Sequence, residues 1–224
     1  MIILASNSPR RKQLLALTGW DYRVLAAQVD ESPRPGEPPG AYVRRLAQEK
    51  ARAALELLPA AERSQAVVIA ADTTVVFQGE VLGKPEDAAE AGSMLRRLRD
   101  RLHQVYTGLA ALRPGDGTLL TEVVLTEVRM RDYSDGEIQA YILSGDPLDK
   151  AGAYAIQHAD FHPVQNLQGC YANVMGLPLC HLVRMVAGFG LRPPDTLAEA
   201  CQETLDQPCP VFRQVLAAWQ ATDG

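Results

Sequence analysis

The chain has 224 residues, with 22 Lys and Arg against 27 Asp and Glu for a net charge of −5, and 47% of its residues are hydrophobic. A chain of this size buries roughly 70% of its unfolded surface in one core, and its ordinary Gly (17) and Pro (15) content excludes a low-complexity or collagen-like polymer. The acidic balance excludes a protein whose main task is holding nucleic acid on a broad basic surface, and leaves room for a small anionic ligand.

Ile2 to Ala5 reads as a short buried strand, followed by Ser8 as N-cap and Pro9 at the first position of a helix that Gly19 closes. Asp21 to Ala26 is a second strand candidate, and the Pro- and Gly-rich run from Glu31 to Gly40 is a loop. Val43, Leu46, Ala47, Lys50, Ala51, Ala54 and Leu58 share one face of a long helix, with a lysine among the apolar positions. Val67 to Ala71 has the continuous apolar character of a strand buried on both faces and continues through Asp72-Thr73-Thr74-Val75-Val76. Gln78-Gly79-Glu80 is a turn, and Asp87 to Leu98 is helical by pattern. Val105 to Leu112 and Leu119 to Met130 form a hairpin around Pro114-Gly115-Asp116-Gly117. Ser134 and Glu137 have capping-box spacing for a helix to about Leu143. Residues 145–176 are loop-rich, Pro178 opens a helix to about Ala187, and beyond Arg192-Pro193-Pro194 two short helices lie around Ala198 and Val215. Interleaved strands and helices with one long hairpin predict an α/β fold with a mixed sheet.

The four cysteines, Cys170, Cys180, Cys201 and Cys209, contain no C-x-x-C pair. Spacing therefore predicts neither a zinc ribbon nor a redox motif, and a reduced, cytoplasmic setting is expected. Met1 to Ala5 is too short for a signal peptide, and no stretch approaches the roughly 20 apolar residues of a membrane span. His158 and His162 are loop residues without H-E-x-x-H context, and neither a P-loop nor a dinucleotide-binding fingerprint occurs.

Arg10, Arg11 and Lys12 crowd the first turn of the first helix, where the helix dipole disfavours cations by roughly 0.3 to 1 kcal/mol each. An anion such as phosphate held there explains them, and a solvated basic helix end is the competing explanation. Asp72 follows five apolar residues near the end of a buried strand, where a carboxylate needs a cation or hydrogen-bond partner; local turn capping is the alternative. Lys50 on an apolar face is explained by snorkelling, and Glu31 and Lys84 are, taken singly, loop residues.

Leu4-Ala5-Ser6-Asn7-Ser8-Pro9-Arg10-Arg11, Val29-Asp30-Glu31, Arg45-Leu46-Ala47 with Lys50-Ala51, Ala71-Asp72-Thr73, Gly83-Lys84-Pro85, the run from Ser144 to Gln157, and Gly169-Cys170-Tyr171 with Val174 to Leu179 together resemble the Maf family of nucleotide pyrophosphatases, in order, over residues 1 to about 188. The resemblance implies an elongated mixed α/β fold of two lobes around a central cleft. It implies residues 1–190 as the catalytic domain and 191–224 as a helical extension. It further implies a cytoplasmic, often dimeric enzyme that hydrolyses nucleoside triphosphates to monophosphate and pyrophosphate with a divalent metal, Mg²⁺ or Mn²⁺. By this likeness Asp72 activates water, Glu31 and Asp72 hold the metal, and Ser8, Arg10, Arg11, Lys50 and Lys84 surround the phosphates. Arg11, Thr73 and Gln157 match positions that are similar to those of the subgroup acting on dTTP and UTP. The expected partner is the nucleotide, with no nucleic-acid polymer and no membrane, and a homodimer fits the family. Other or modified nucleotides, such as methylated GTP or CTP, are the alternative substrates, and a nucleotide-binding regulator of cell division is the alternative role. The chain departs from the family pattern at His158, in place of glycine, at Cys170, in place of serine, and in its tail beyond Leu191. A histidine at 158 is expected to narrow or reshape the base pocket.

Overall fold

The computed structural model describes residues 1–220, with side chains through residue 217. Its chain order is β1 (Ile2–Leu4), α1 (Pro9–Ala16), β2 (Tyr22–Val24), α2 (Pro39–Glu56), α3 (Ala60–Arg63), β3 (Val67–Phe77), β4 (Glu80–Leu82), α4 (Ala88–Leu98), β5 (Leu102–Arg113), β6 (Thr118–Met130), α5 (Asp135–Leu143), β7 (Val164–Gln168), α6 (Tyr171–Val174), α7 (Leu179–Met185), α8 (Leu197–Leu205) and α9 (Phe212–Gln220). Short 3-10 turns at Asp146–Asp149, Ala151–Ala153 and Ala187–Phe189 occupy stretches that the sequence left as loop or helix end. Residues 221–224 of the expected extension lie outside the described residues. No helix among the described residues is long and apolar enough to cross a membrane.

The strands form one mixed sheet in the order β2-β1-β3-β5-β6-β7, with β4 also pairing with β3. β1 runs parallel to β2 and β3, while the remaining pairs are antiparallel. The period of two along β3 sends Val67, Ile69, Ala71, Val75 and Phe77 into the core shared with α1, α4 and the α6–α7 region. Val68 and Ala70 go instead to the opposite face, which α2 covers with Ala47, Ala51 and Ala54. β3 is thus apolar on both sides, as its continuous hydrophobic run requires. α2 lies very close to the sheet because β5 carries Gly108: a Cβ there would stand 2.3 Å from the Val43 carbonyl oxygen.

One irregularity of this sheet makes the cleft. β5 covers one edge of β3 from Val68 to Val76. On the opposite edge β1 pairs only as far as Ile69, and β4 begins only at Val75. The stretch 71–74 between them has no strand neighbour on that side. Asp72 is therefore not at a strand end, as the sequence suggested, but in mid-strand, where the parallel pairing stops. The chain leaves β1 on one side of the gap and β4 on the other, giving two lobes with a cleft of about 620 Å³ between them.

Candidate active site

Parity assigns the two central residues of the gap to opposite faces. Asp72 shares the α2 side with Val68 and Ala70, and Thr73 turns to the side of α1 and α6. All nine residues expected at a site, Ser8, Arg10, Arg11, Glu31, Lys50, Asp72, Thr73, Lys84 and Gln157, line this one cleft.

α2 aims Lys50 across the sheet, where its Nζ lies 2.6 Å from Asp72 Oδ1 and 2.6 Å from Glu31 Oε1. Snorkelling to solvent is therefore not what this lysine does: it joins two carboxylates. The Glu31 loop is tied to the same helix by a hydrogen bond from Tyr42 Oη to the Glu31 carbonyl at 2.8 Å. Arg45 adds a fork to Glu37 at 2.7 Å on both oxygens and a bond to the Ser32 carbonyl at 3.1 Å. The Arg45 hydrogen bonds hold the Glu37 carboxyl down at about 2. Burial pushes the Glu31 carboxyl up, but the hydrogen bond and charge of Lys50, with Lys84 and Arg11 behind it, outweigh burial and leave it below the usual glutamate range. Burial, reinforced by the negative charges of Asp72 and Glu31, pushes the Tyr42 hydroxyl up to about 12.

On the other side of the gap, Ser8 caps α1 by accepting from the Arg11 N–H, and the first turn contains no acidic residue. The Arg11 guanidinium is held at all three nitrogens: Nε donates to the Gly176 carbonyl at 2.9 Å, and the two terminal nitrogens donate to Ser6 Oγ at 3.3 Å and Thr73 Oγ1 at 3.2 Å. Thr73 is bonded in turn to Thr107 Oγ1 at 2.9 Å, which donates to the Asn173 carbonyl at 2.9 Å. Gly176 is needed here twice over, since its φ is +102° and a Cβ would lie 3.2 Å from both Arg11 Nε and Thr73 Oγ1. Burial draws the Arg11 pKa down, with the nearby Asp72 charge opposing it. Arg11 is thus a fixed cation rather than a solvated helix-end residue.

Lys84 follows β4 directly and faces the gap from the second lobe, and Gln157 is exposed at the rim. His158 does not line the cleft. Its Nδ1 accepts from the Phe161 N–H at 3.1 Å and its ring meets Tyr141 edge-on, so it builds the loop behind Gln157 and does not narrow the pocket. Sequence reasoning missed the supporting roles of Tyr42, Arg45, Thr107 and Gly176. Only Tyr42 carried a signal, as a hydroxyl-bearing aromatic one helical turn ahead of Leu46 on the buried face.

Two carboxylates sharing one lysine, opposite a helix start with two arginines, give the cleft one acidic wall bridged by a cation and one cationic wall suited to an anion. A divalent cation suits the donor set, because hard oxygen ligands from Glu31 and Asp72 need only be completed by phosphate oxygens and water. Among the described residues no three His, Cys, Asp or Glu side chains converge as a complete protein cage, which fits a cation held jointly with its substrate.

Comparison with known proteins agrees in extent. A model described as Maf-like protein matches residues 1–189. A Hahella chejuensis protein named dTTP/UTP pyrophosphatase is 44% identical over 191 residues, covering 85% of this chain and 93% of its own length. Proteins of the same name from Citrifermentans bemidjiense and Myxococcus xanthus are 45% and 47% identical, covering 84% and 87% of this chain and 97% and 95% of their own lengths. The chain belongs to the Maf-like protein family.

Proposed function

We propose that this protein hydrolyses nucleoside triphosphates, dTTP and UTP foremost, to the monophosphate and pyrophosphate. The observation that carries the reading is the Asp72–Lys50–Glu31 contact set in the floor of a cleft whose other wall is the cationic start of α1. The name shared by the three relatives supports the choice of nucleotide.

A triphosphate carries about four negative charges, and attack at the α-phosphorus adds charge to the equatorial and leaving oxygens. Arg10, Arg11, Lys50 and Lys84 supply positive charge from both lobes, so the tail is gripped where that charge grows. Lys50 occupies Oδ1 of Asp72, which leaves the second oxygen to take a proton from a water placed against the α-phosphorus. The water oxygen bonds to phosphorus, the bond to the bridging oxygen breaks, and pyrophosphate departs with that electron pair. Mg²⁺ or Mn²⁺, held by Glu31 and Asp72 together with the phosphates, would supply charge neutralisation and acidify bound water. Gln157 offers both a donor and an acceptor to the matched edge of uracil or thymine, with Arg11 and Thr73 fixing the wall beside it. Residues 1–190 form the catalytic unit and 191–224 the extension, in a cytoplasmic homodimer that meets the nucleotide pool.

The test is pyrophosphate release from dTTP, UTP, CTP, GTP and methylated triphosphates with magnesium, for wild type and Asp72→Asn. Turnover of dTTP and UTP that falls by about 100-fold or more in the variant is expected. Turnover of other nucleotides only overturns the specificity, and no turnover of any of them overturns the enzyme reading.

A further inference from the structure

Away from the cleft, one feature is used by nothing described so far. All four cysteines of the chain line a single small cavity between the α6–α7 region and the tail. Cys170 directly precedes α6 and Cys180 lies in α7, while Cys201 lies in α8 and Cys209 in the loop before α9. Two come from within residues 1–189, which the family model matches, and two from beyond it. Two of the three departures from the family pattern, a cysteine for serine at 170 and a longer tail, therefore meet at one point. The cavity, about 20 Å³, holds a water at most and no organic ligand. Among the described residues no three cysteines stand in metal-ligating geometry, which disfavours a zinc centre. The sequence holds no C-x-x-C redox motif, but folding brings its four cysteines to one place.

The four thiols are not equivalent. Cys170 and Cys209 line the cavity from opposite sides of the seam between domain and tail, near enough that each thiol perturbs the other's titration. The neighbouring Cys170, aided by the N–H groups of Val211 and Phe212, draws the Cys209 thiol down, while Cys209 together with burial pushes Cys170 up. Burial, reinforced by the neighbouring thiols, pushes Cys180 up to about 12 and Cys201 up to about 11, which disfavours their thiolates. Cys209 is only partly buried and Cys170 is buried, so Cys209 is the thiol an external disulfide reaches first and Cys170 the one that resolves.

We propose that Cys170 and Cys209 form a reversible disulfide that clasps the tail to the catalytic domain. With a low-molecular-weight disulfide such as oxidised glutathione as oxidant, the Cys209 thiolate attacks one glutathione sulfur, making a mixed disulfide and releasing one glutathione thiolate. Cys170 then gives up its proton and attacks Cys209 Sγ, the protein disulfide forms, and the second glutathione leaves. Two protein thiols lose two electrons, one glutathione disulfide gains them, and the two protons end on two glutathione thiols. Such a bond fits a reducing compartment as a sensing element rather than a permanent staple.

The experiment treats the full-length reduced protein with oxidised glutathione, counts free thiols after denaturation, maps the linked peptides and records the melting temperature. The expected result is a fall from four free thiols to two, a 170–209 linkage, and a rise in Tm of about 10 °C from closing a loop of about 40 residues, all reversed by dithiothreitol. Cys209→Ser, in the half-exposed loop, and Cys170→Ser, the residue the family usually has, should each abolish the rise. The Cys180→Ser and Cys201→Ser variants should keep it. Four thiols left unreacted, a different linkage, a stable glutathione adduct on Cys209, a linkage without a Tm rise, or one tightly retained zinc lost in Cys201→Ser would each overturn the proposal.

Discussion

Lys50 lies 2.6 Å from both Asp72 and Glu31, so one ammonium group holds two carboxylates together in the cleft. Removing it leaves two negative charges facing each other. In Lys50→Met the Glu31 carboxyl should therefore titrate at higher pH than in wild type, where the Lys50 hydrogen bond and charge hold it low. Carboxyl NMR titration of the two proteins measures the shift. An unmoved Glu31 would mean that Lys84 and Arg11 suffice to hold it.

Base selection is expected to rest on Gln157. Gln157→Glu removes the amide donor from the rim of the cleft and should lower kcat/KM for dTTP and UTP by about tenfold or more, with little change for triphosphates that do not need that donor. Kinetics on both nucleotide groups decide it, and equal losses would assign Gln157 to general binding.

Acid should weaken the fold through His103. The ring is buried, its Nε2 is 2.8 Å from Tyr154 Oη, and its Nδ1 has no hydrogen-bond partner among the described residues. Burial draws its pKa down to about 4. The unfolded chain, with a histidine near 6.5, binds more protons than the folded one between those values, so stability is present at neutral pH and is lost as pH falls from about 6.5 to about 4. The loss is about 3 kcal/mol at the lower limit. Denaturant unfolding between pH 4 and 7 should show this slope in wild type and a flatter one in His103→Gln.

Gly108→Ala should destabilise the protein by about 1–3 kcal/mol, because the new methyl group would collide with the Val43 backbone. The expected fall in Tm is about 3–10 °C. Activity should fall as well, since α2 carries Lys50 two turns beyond the contact; a variant with full activity would show that the helix slides without moving its lysine.

Strands, helices and even the capping box at Ser134 were legible in the sequence, because each is written in local periodicity or turn chemistry. The charged residues of the cleft were legible too, as charges in places where charge is costly: Arg10 and Arg11 at a helix start, Asp72 after an apolar run, Lys50 on an apolar face. The gap in the sheet was not. It depends on where β1 ends and β4 begins along β3, a matter of pairing between distant segments. The meeting of Cys170 with Cys209 has the same origin, and so has the retreat of His158 from the pocket, which depends on Tyr141 and Phe161 being beside it.

β3 belongs to both lobes, bonded to β1 in its first half and to β4 in its second, with Asp72 between the two. In the proposed function, the cations that grip the substrate stand on either side of this shared strand, Arg10 and Arg11 beyond β1 and Lys84 beyond β4. A change in the opening of the cleft would therefore alter the spacing of the cations while Asp72 stays on the strand that both lobes share. The grip would then adjust to different phosphate geometries without displacing the proposed proton acceptor.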